Sequence, residues 1–303
     1  MNNCAPILIF AYNRVDKLEK LILSLSTNEL SKDSEIYIFC DKEIGLQDSK
    51  NVKEVKDFIL SFNFKSYFNN YKIHFNTHHF GLAKSIITGV TQILKNYDRV
   101  IVLEDDLIIS KYFLRFMNDA LNYFLHDDRI FSISGFTKNF KFSKNYPYDI
   151  YLFPRGSSWG WATWKNRWNK VLWNHENIKQ LIKNKNFFNG FNLGGPDLKK
   201  MLIAQLRGKI DSWAIRWVFS QYINKQFTIY PTKSLVLNDG TDGTGTHKVK
   251  FRIINKIDND FLPNLSYIMP NKTIIRTVKN SYRNSISDYL NFINAFIRKI
   301  FNL

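Results

Sequence analysis

Apolar residues along the first 135 positions come in two rhythms that take turns. Short, β-branched runs predict buried strands at "APILIFAY" (5–12), "SEIYIFCD" (34–41), "YKIHFNT" (71–77), "RVIVLEDD" (99–106) and "RIFSISGF" (129–136). Between them the spacing turns helical. "VDKLEKLILSL" carries Leu18, Leu21, Ile22 and Leu25 on one face, and "SKNVKEVKDFILSF" and "GLAKSIITGVTQILKN" follow the same rule. Ser110 is placed as the N-cap of a fourth helix, with Phe113, Met117, Ala120, Leu121 and Phe124 on one face. Strand and helix in strict alternation predict an α/β fold, a mostly parallel sheet with helices on both faces.

The second half is less regular. "FPRGSSWGWATWKNRW" crowds Trp159, Trp161, Trp164 and Trp168 together, and "IDSWAIRWVFSQYI" predicts a helix. "FTIYPTKSLVLND" predicts one or two strands, and "GTDGTGTH" a glycine-threonine loop ending in His247. With no repeat or clear linker, the division expected is one domain over 1–250 and a basic, helical C-terminal tail over 251–303.

Charge narrows the partners. Forty-three Lys plus Arg against 26 Asp plus Glu give a net charge of +17, which favours anionic ligands or surfaces. Two cysteines, Cys4 and Cys40, exclude a disulfide framework or a cysteine zinc site. The N-terminal apolar run lacks a basic flank and is short for a signal peptide, and no run of about 18 apolar residues predicts a membrane span. A cytoplasmic protein is expected, with attachment to the inner face of a membrane left open.

The candidate chemistry sits where the strands end. In sheets of this kind ligands bind outside the carboxyl ends of the strands. Glu104, Asp105 and Asp106 close the fourth strand, Asp41 the second, and Asn13 with Arg14 the first. The triplet could be a solvated turn, an acid/base pair or a hold for a hard, oxygen-seeking Mg²⁺ or Mn²⁺. Its place after a buried strand favours the metal. No P-loop and no G-x-G-x-x-G follows a strand, so a metal-bridged nucleoside diphosphate is the remaining common ligand.

Taken in order, "FAYNR", "FCDKE", "HHFGLAKSI", "VLEDDL", "FPRGSSWGWATW", "DSWAIRW" and "DGTGTH" resemble the GT-A glycosyltransferases related to family 2 and to N-acetylglucosaminyltransferase I, over roughly residues 5 to 250. Bacterial relatives with such patterns resemble polysaccharide or lipid-linked-glycan transferases. The resemblance implies Asp106 as metal ligand, with His247 as a second ligand or phosphate donor. It implies Arg14, Asp41, Ser85, Glu104 and Asp105 around the donor, Asp41 at its base, and Asp211 as catalytic base of an inverting transfer. Arg155, Trp159 and Trp161 are the candidates for the acceptor. The partners implied are a nucleotide-sugar and a glycan or lipid-linked glycan.

Each assignment has a plainer rival. Asp211 could be only a helix N-cap. The tryptophans could be core, the more natural reading for Trp164 and Trp168, and Arg155 could face solvent. From Lys248 to Leu303 there are ten Lys or Arg against three Asp. The amphipathic stretch through Tyr289, Phe292, Ile293, Phe296, Ile297 and Ile300 suits an anionic membrane surface, the domain itself or a second copy in a homo-oligomer. Two other functions compete. A nucleotidyltransferase or phosphohydrolase also uses strand-end carboxylates. Nucleic-acid binding, suggested by charge alone, is disfavoured by scattered basic residues and an acidic crevice.

Overall fold

The computed structural model describes residues 4–182, 187–240 and 257–282. The five expected strands form as β1 (Ile7–Ala11), β2 (Glu35–Cys40), β3 (Asn70–Phe75), β4 (Arg99–Glu104) and β6 (Ile130–Ser134). β5 (Leu107–Ile109) is a short extra strand. β7 (Ile150–Phe153), β8 (Trp161–Trp164), β9 (Phe227–Pro231) and β10 (Val236–Asn238) come from the second half. Eight of them make one sheet in the order β3-β2-β1-β4-β8-β6-β9-β7. β8 runs antiparallel between β4 and β6, and β7 antiparallel beside β9, while the other neighbours are parallel. β10 and β5 pair separately, antiparallel.

Helices cover both faces, as the alternation predicts. On one face lie α1 (Val15–Ser26), α2 (Leu46–Ser61) and α4 (Phe113–Tyr123), their apolar stripes buried against Ile7, Ile9, Ile101 and Leu103. On the other, α3 (Leu82–Ile93) meets Leu8, Phe10, Val100 and Val102. The short α5 (Lys165–Trp168), α6 (His175–Leu181) and α7 (Phe187–Phe191), with α8 (Leu198–Leu206) and α9 (Trp213–Ile223), complete that layer. Strand residues of opposite parity therefore serve opposite cores, as the two-residue period of a strand requires.

Five of the seven tryptophans are buried in the core. Trp161, Trp168, Trp213 and Trp217 stack and tilt together at ring separations of 5.1 to 5.8 Å. Trp164, on the opposite face of β8, donates its indole N–H to the Leu121 carbonyl at 3.0 Å. Ser110 is not the cap of α4. The helix begins after Tyr112 without a side-chain cap, and Ser110 contributes its carbonyl to the Phe113 N–H at 3.1 Å.

The expected boundary near residue 250 falls outside the described residues, as do His247 and the amphipathic stretch 289–300. Residues 257–282 lie against the body of the fold: Ile268 joins the main core, and a helix over 272–282 packs Ile274 and Val278 on Tyr151 and Tyr230. Among the described residues no helix is long and apolar enough to cross a membrane.

Candidate active site at the carboxyl edge

The acidic triplet follows β4 at the centre of the sheet, and β1 beside it delivers Arg14. Asp105 is held by its backbone N–H on the Phe10 carbonyl (3.1 Å) and is 3% exposed. The Arg14 guanidinium reaches both acids. One nitrogen is hydrogen-bonded to Asp105, and Nη1 lies 3.0 Å from Asp106 Oδ2 without hydrogen-bond geometry. Burial works against the charge on Arg14, but Asp105 and Asp106 outweigh it and raise its pKa. Arg14 is thus a counter-charge to the acids, where the sequence pattern had placed it on the nucleotide.

One guanidinium does not balance three carboxylates. Burial, then Asp106 and Asp105, push Glu104 well above the ordinary carboxylate range, with Arg14 only partly opposing them. Asp105 is itself raised to about 6, chiefly by burial. An excess of crowded, desolvated carboxylate oxygen fits a hard divalent cation. Among the described residues no three His, Cys, Asp or Glu side chains converge as a ready-made metal cage. Asp106 would be the protein ligand of such a cation, with phosphate oxygens and waters completing its shell, the usual habit of Mg²⁺ sites.

Asp106 has further neighbours the sequence did not reveal. The β5–β10 pair brings residues 238–240 onto it: the Asp239 N–H bonds the Asp106 carbonyl at 2.8 Å, and the Asn238 amide lies 3.4 Å from Oδ1. A Cβ at Gly240 would collide with Asp106 Oδ2, so glycine is needed there for close approach. Lys17 and Lys20 hold the Asp239 carboxylate at 3.1 and 2.8 Å.

Asp41 does not lie open to a nucleobase. Its oxygens accept from the backbone N–H groups of Lys42 (3.0 Å), Phe80 (3.0 Å) and Gly81 (2.8 Å) and from the Asn76 amide (2.9 Å). It is the anchor of the loop into α3, where Gly81 adopts φ +72°. Beside that anchor Lys42, Glu43, Ile44, Gly45, Leu46, Ser49, His78 and His79 line a cleft of about 470 Å³. Tyr12 stands near its wall, its ring 5.4 Å from His79 and its hydroxyl on Asp48 at 3.0 Å. The sequence offered no signal for this cleft beyond an aromatic residue after β1 and two consecutive histidines. In the first turn of α3, Ser85 keeps a buried hydroxyl with no partner among the described residues, a polar atom free for a ligand.

Asp211 is placed by α9. Trp213, two residues on, packs 5.1 Å from Trp161, whose strand partner is Val102 of β4. It is not the N-cap: Ser212 is, its Oγ accepting from the Ile215 N–H at 3.3 Å. The Asp211 carboxylate is 71% exposed and pairs with Arg216 at 3.1 Å.

Two acceptor candidates are corrected. Trp161 is 0% exposed, its faces covered by the other tryptophans, and presents no ring to a sugar. Arg155 is neither at solvent nor free, because Asp197 holds it in a fork at 2.8 and 2.9 Å and its guanidinium lies 4.1 Å above the Tyr282 ring. Trp159 remains partly exposed, edge-on to Phe136 at 4.4 Å.

No family model and no curated protein matches this chain. Among solved structures it is similar to S. aureus TarS 1-349, at 12% identity and a TM-score of 0.42, covering 79% of this chain and 61% of that one. It is similar to S. aureus TarS at 11% and 0.41, over 79% and 37%, and to the mannosyltransferase PcManGT from Pyrobaculum calidifontis in complex with GDP-Man and Mn²⁺ at 12% and 0.37, over 59% and 47%. The matches span less than two thirds of each of those chains. Likenesses of this size carry no argument about this chain, whose chemistry rests on its own residues.

Proposed function

We propose that the protein is an inverting glycosyltransferase of GT-A type, moving a sugar from a nucleoside-diphosphate sugar to a hydroxyl of a glycan or lipid-linked glycan. The observation that carries this reading is the crowding of Glu104, Asp105 and Asp106 at the carboxyl edge, two strands along from the open cleft beside Asp41.

The cleft between Lys42–Ser49 and His78–His79 receives the nucleoside, with Tyr12 near its wall and Lys42 available to its phosphates. Ser85 offers its unpartnered hydroxyl to the donor. Held by Asp106, Mg²⁺ or Mn²⁺ would neutralise the charge that grows on the departing diphosphate. Glu104 and Asp105, fixed by burial and by Arg14, define the wall against which the sugar is set. Asp211, largely in solvent and able to leave Arg216, takes the proton of the attacking hydroxyl. A positioned carboxylate base contributes about 10²- to 10⁴-fold.

Calorimetric titration of UDP-, dTDP- and GDP-sugars with and without Mn²⁺ tests the reading. One nucleotide class is expected to bind in a metal-dependent way, and Asp106→Asn to abolish that dependence. Asp211→Asn is expected to keep donor binding and lose transfer by at least 10²-fold. Failure of all three nucleotides to bind would overturn the proposal.

A further inference from the structure

A second cleft opens at the far end of the same edge. Ile150 of β7 pairs with Pro231, the last residue of β9, so the chain from β6 to β7 leaves and re-enters the sheet at its carboxyl edge. That connection carries a ladder of rings running outward from the core. Buried Tyr151 meets Phe142 at 5.5 Å, Phe142 stacks on Tyr146 at 5.4 Å and 19°, and Tyr146 meets Tyr148 at 5.6 Å. Tyr148, the outermost rung, is 41% exposed.

The outer rings, Phe142, Tyr146 and Tyr148, form one wall of a cleft of about 330 Å³ whose other wall is the start of the helix over 272–282. The polar groups lining it are mostly uncharged. The Asn145 amide and the Thr277 hydroxyl have no hydrogen-bond partner among the described residues. Asn271 spends its oxygen on the Thr273 and Ile274 N–H groups, at 2.9 and 3.1 Å, which leaves its NH₂ group to donate. Lys141 is the one charged side chain in the lining, and no carboxylate joins it.

Flat aromatic faces bordered by neutral donors and acceptors suit a pyranose ring, which has apolar C–H faces and a rim of hydroxyls. The near-neutral lining disfavours a nucleotide or a strongly charged chain. β7, which the cleft adjoins, stands four strand positions from β4, about 19 Å along the edge at about 4.8 Å per strand. A glycan lying along the strand ends would span both.

Building on the sugar-transfer reading, we infer that this cleft is a distal subsite for the acceptor glycan, holding a sugar several units from the one that reacts. Binding there stabilises substrate and transition state alike, so it lowers KM and leaves kcat unchanged.

The test uses the full chain without donor, titrated with maltoheptaose, cellohexaose and chitohexaose while amide resonances are followed. At least one oligosaccharide is expected to move the signals of Asn145, Tyr146, Tyr148 and Asn271. Tyr148→Ala is expected to weaken it at least tenfold, and Tyr148→Phe, which keeps the ring, to bind as the parent does. No shifts in that loop with any of the three at millimolar concentration, or equal binding by Tyr148→Ala, would overturn the inference. A separate donor titration reports on the acidic edge, so loss of the transferase reading and loss of this subsite are told apart.

Discussion

At the scale of single residues, Arg14 is the counter-charge of the acidic triplet. Arg14→Met would leave Glu104, Asp105 and Asp106 crowded and buried without a counter-charge. Removing one side of a buried pair costs about 3–5 kcal/mol. Urea denaturation at pH 7.5 should show a loss of that order. The deficit should shrink as the pH falls through about 6, where Asp105 takes up a proton and no longer needs the guanidinium. An unchanged midpoint at pH 7.5 would show that the fork contributes nothing net. The positions of Asp106, Asp41 and Asp211 beside strand and helix ends were legible in the sequence. Their bonding was not. Whether Asp41 faces a ligand or fastens Phe80 and Gly81 depends on a loop 40 residues away, which no local pattern encodes.

Among the elements, those with a clean period were the legible ones: five strands and four helices of the first half appear where the rhythm changes from two residues to nearly four. β8 was hidden because "WATW" is buried on both faces and shows no polar alternation. β5 and β10, three residues each, are too short to carry a period, yet they bring Asn238, Asp239 and Gly240 to Asp106. Two substitutions test these assignments. Ser212→Ala removes the side-chain N-cap of α9 and should cost about 1 kcal/mol, with Asp211→Ala much less affected, as read from chemical denaturation. Gly240→Ala drives a methyl into Asp106 and should cost about 1–3 kcal/mol. Calorimetry should also show weaker Mn²⁺-dependent donor binding for Gly240→Ala. A variant with unaltered stability and binding would mean that residue 240 does not press on the site.

For the molecule as a whole, Cys40 serves as a reporter of global opening. It is fully buried, and burial raises its thiol to about 12. Iodoacetamide at pH 8 should therefore leave Cys40 unlabelled in the native protein and label it in urea. Because the folded thiol holds its proton more tightly than the unfolded one, its contribution to stability is intact below about pH 9 and is lost as the pH rises toward 12. Native labelling at the unfolded rate would contradict this burial. The position of β8 has a consequence for how the chain is made. β4 is finished by residue 104, but the strand that covers its free edge is not synthesised until residue 164. For some sixty residues of growth, a nascent chain carries Val100 to Leu103 as an apolar strand with one side unpaired, the template that promotes association between chains. The tryptophan segment thus closes the sheet against neighbouring copies on the ribosome, and chains interrupted before it should be recovered as aggregates rather than as a soluble half.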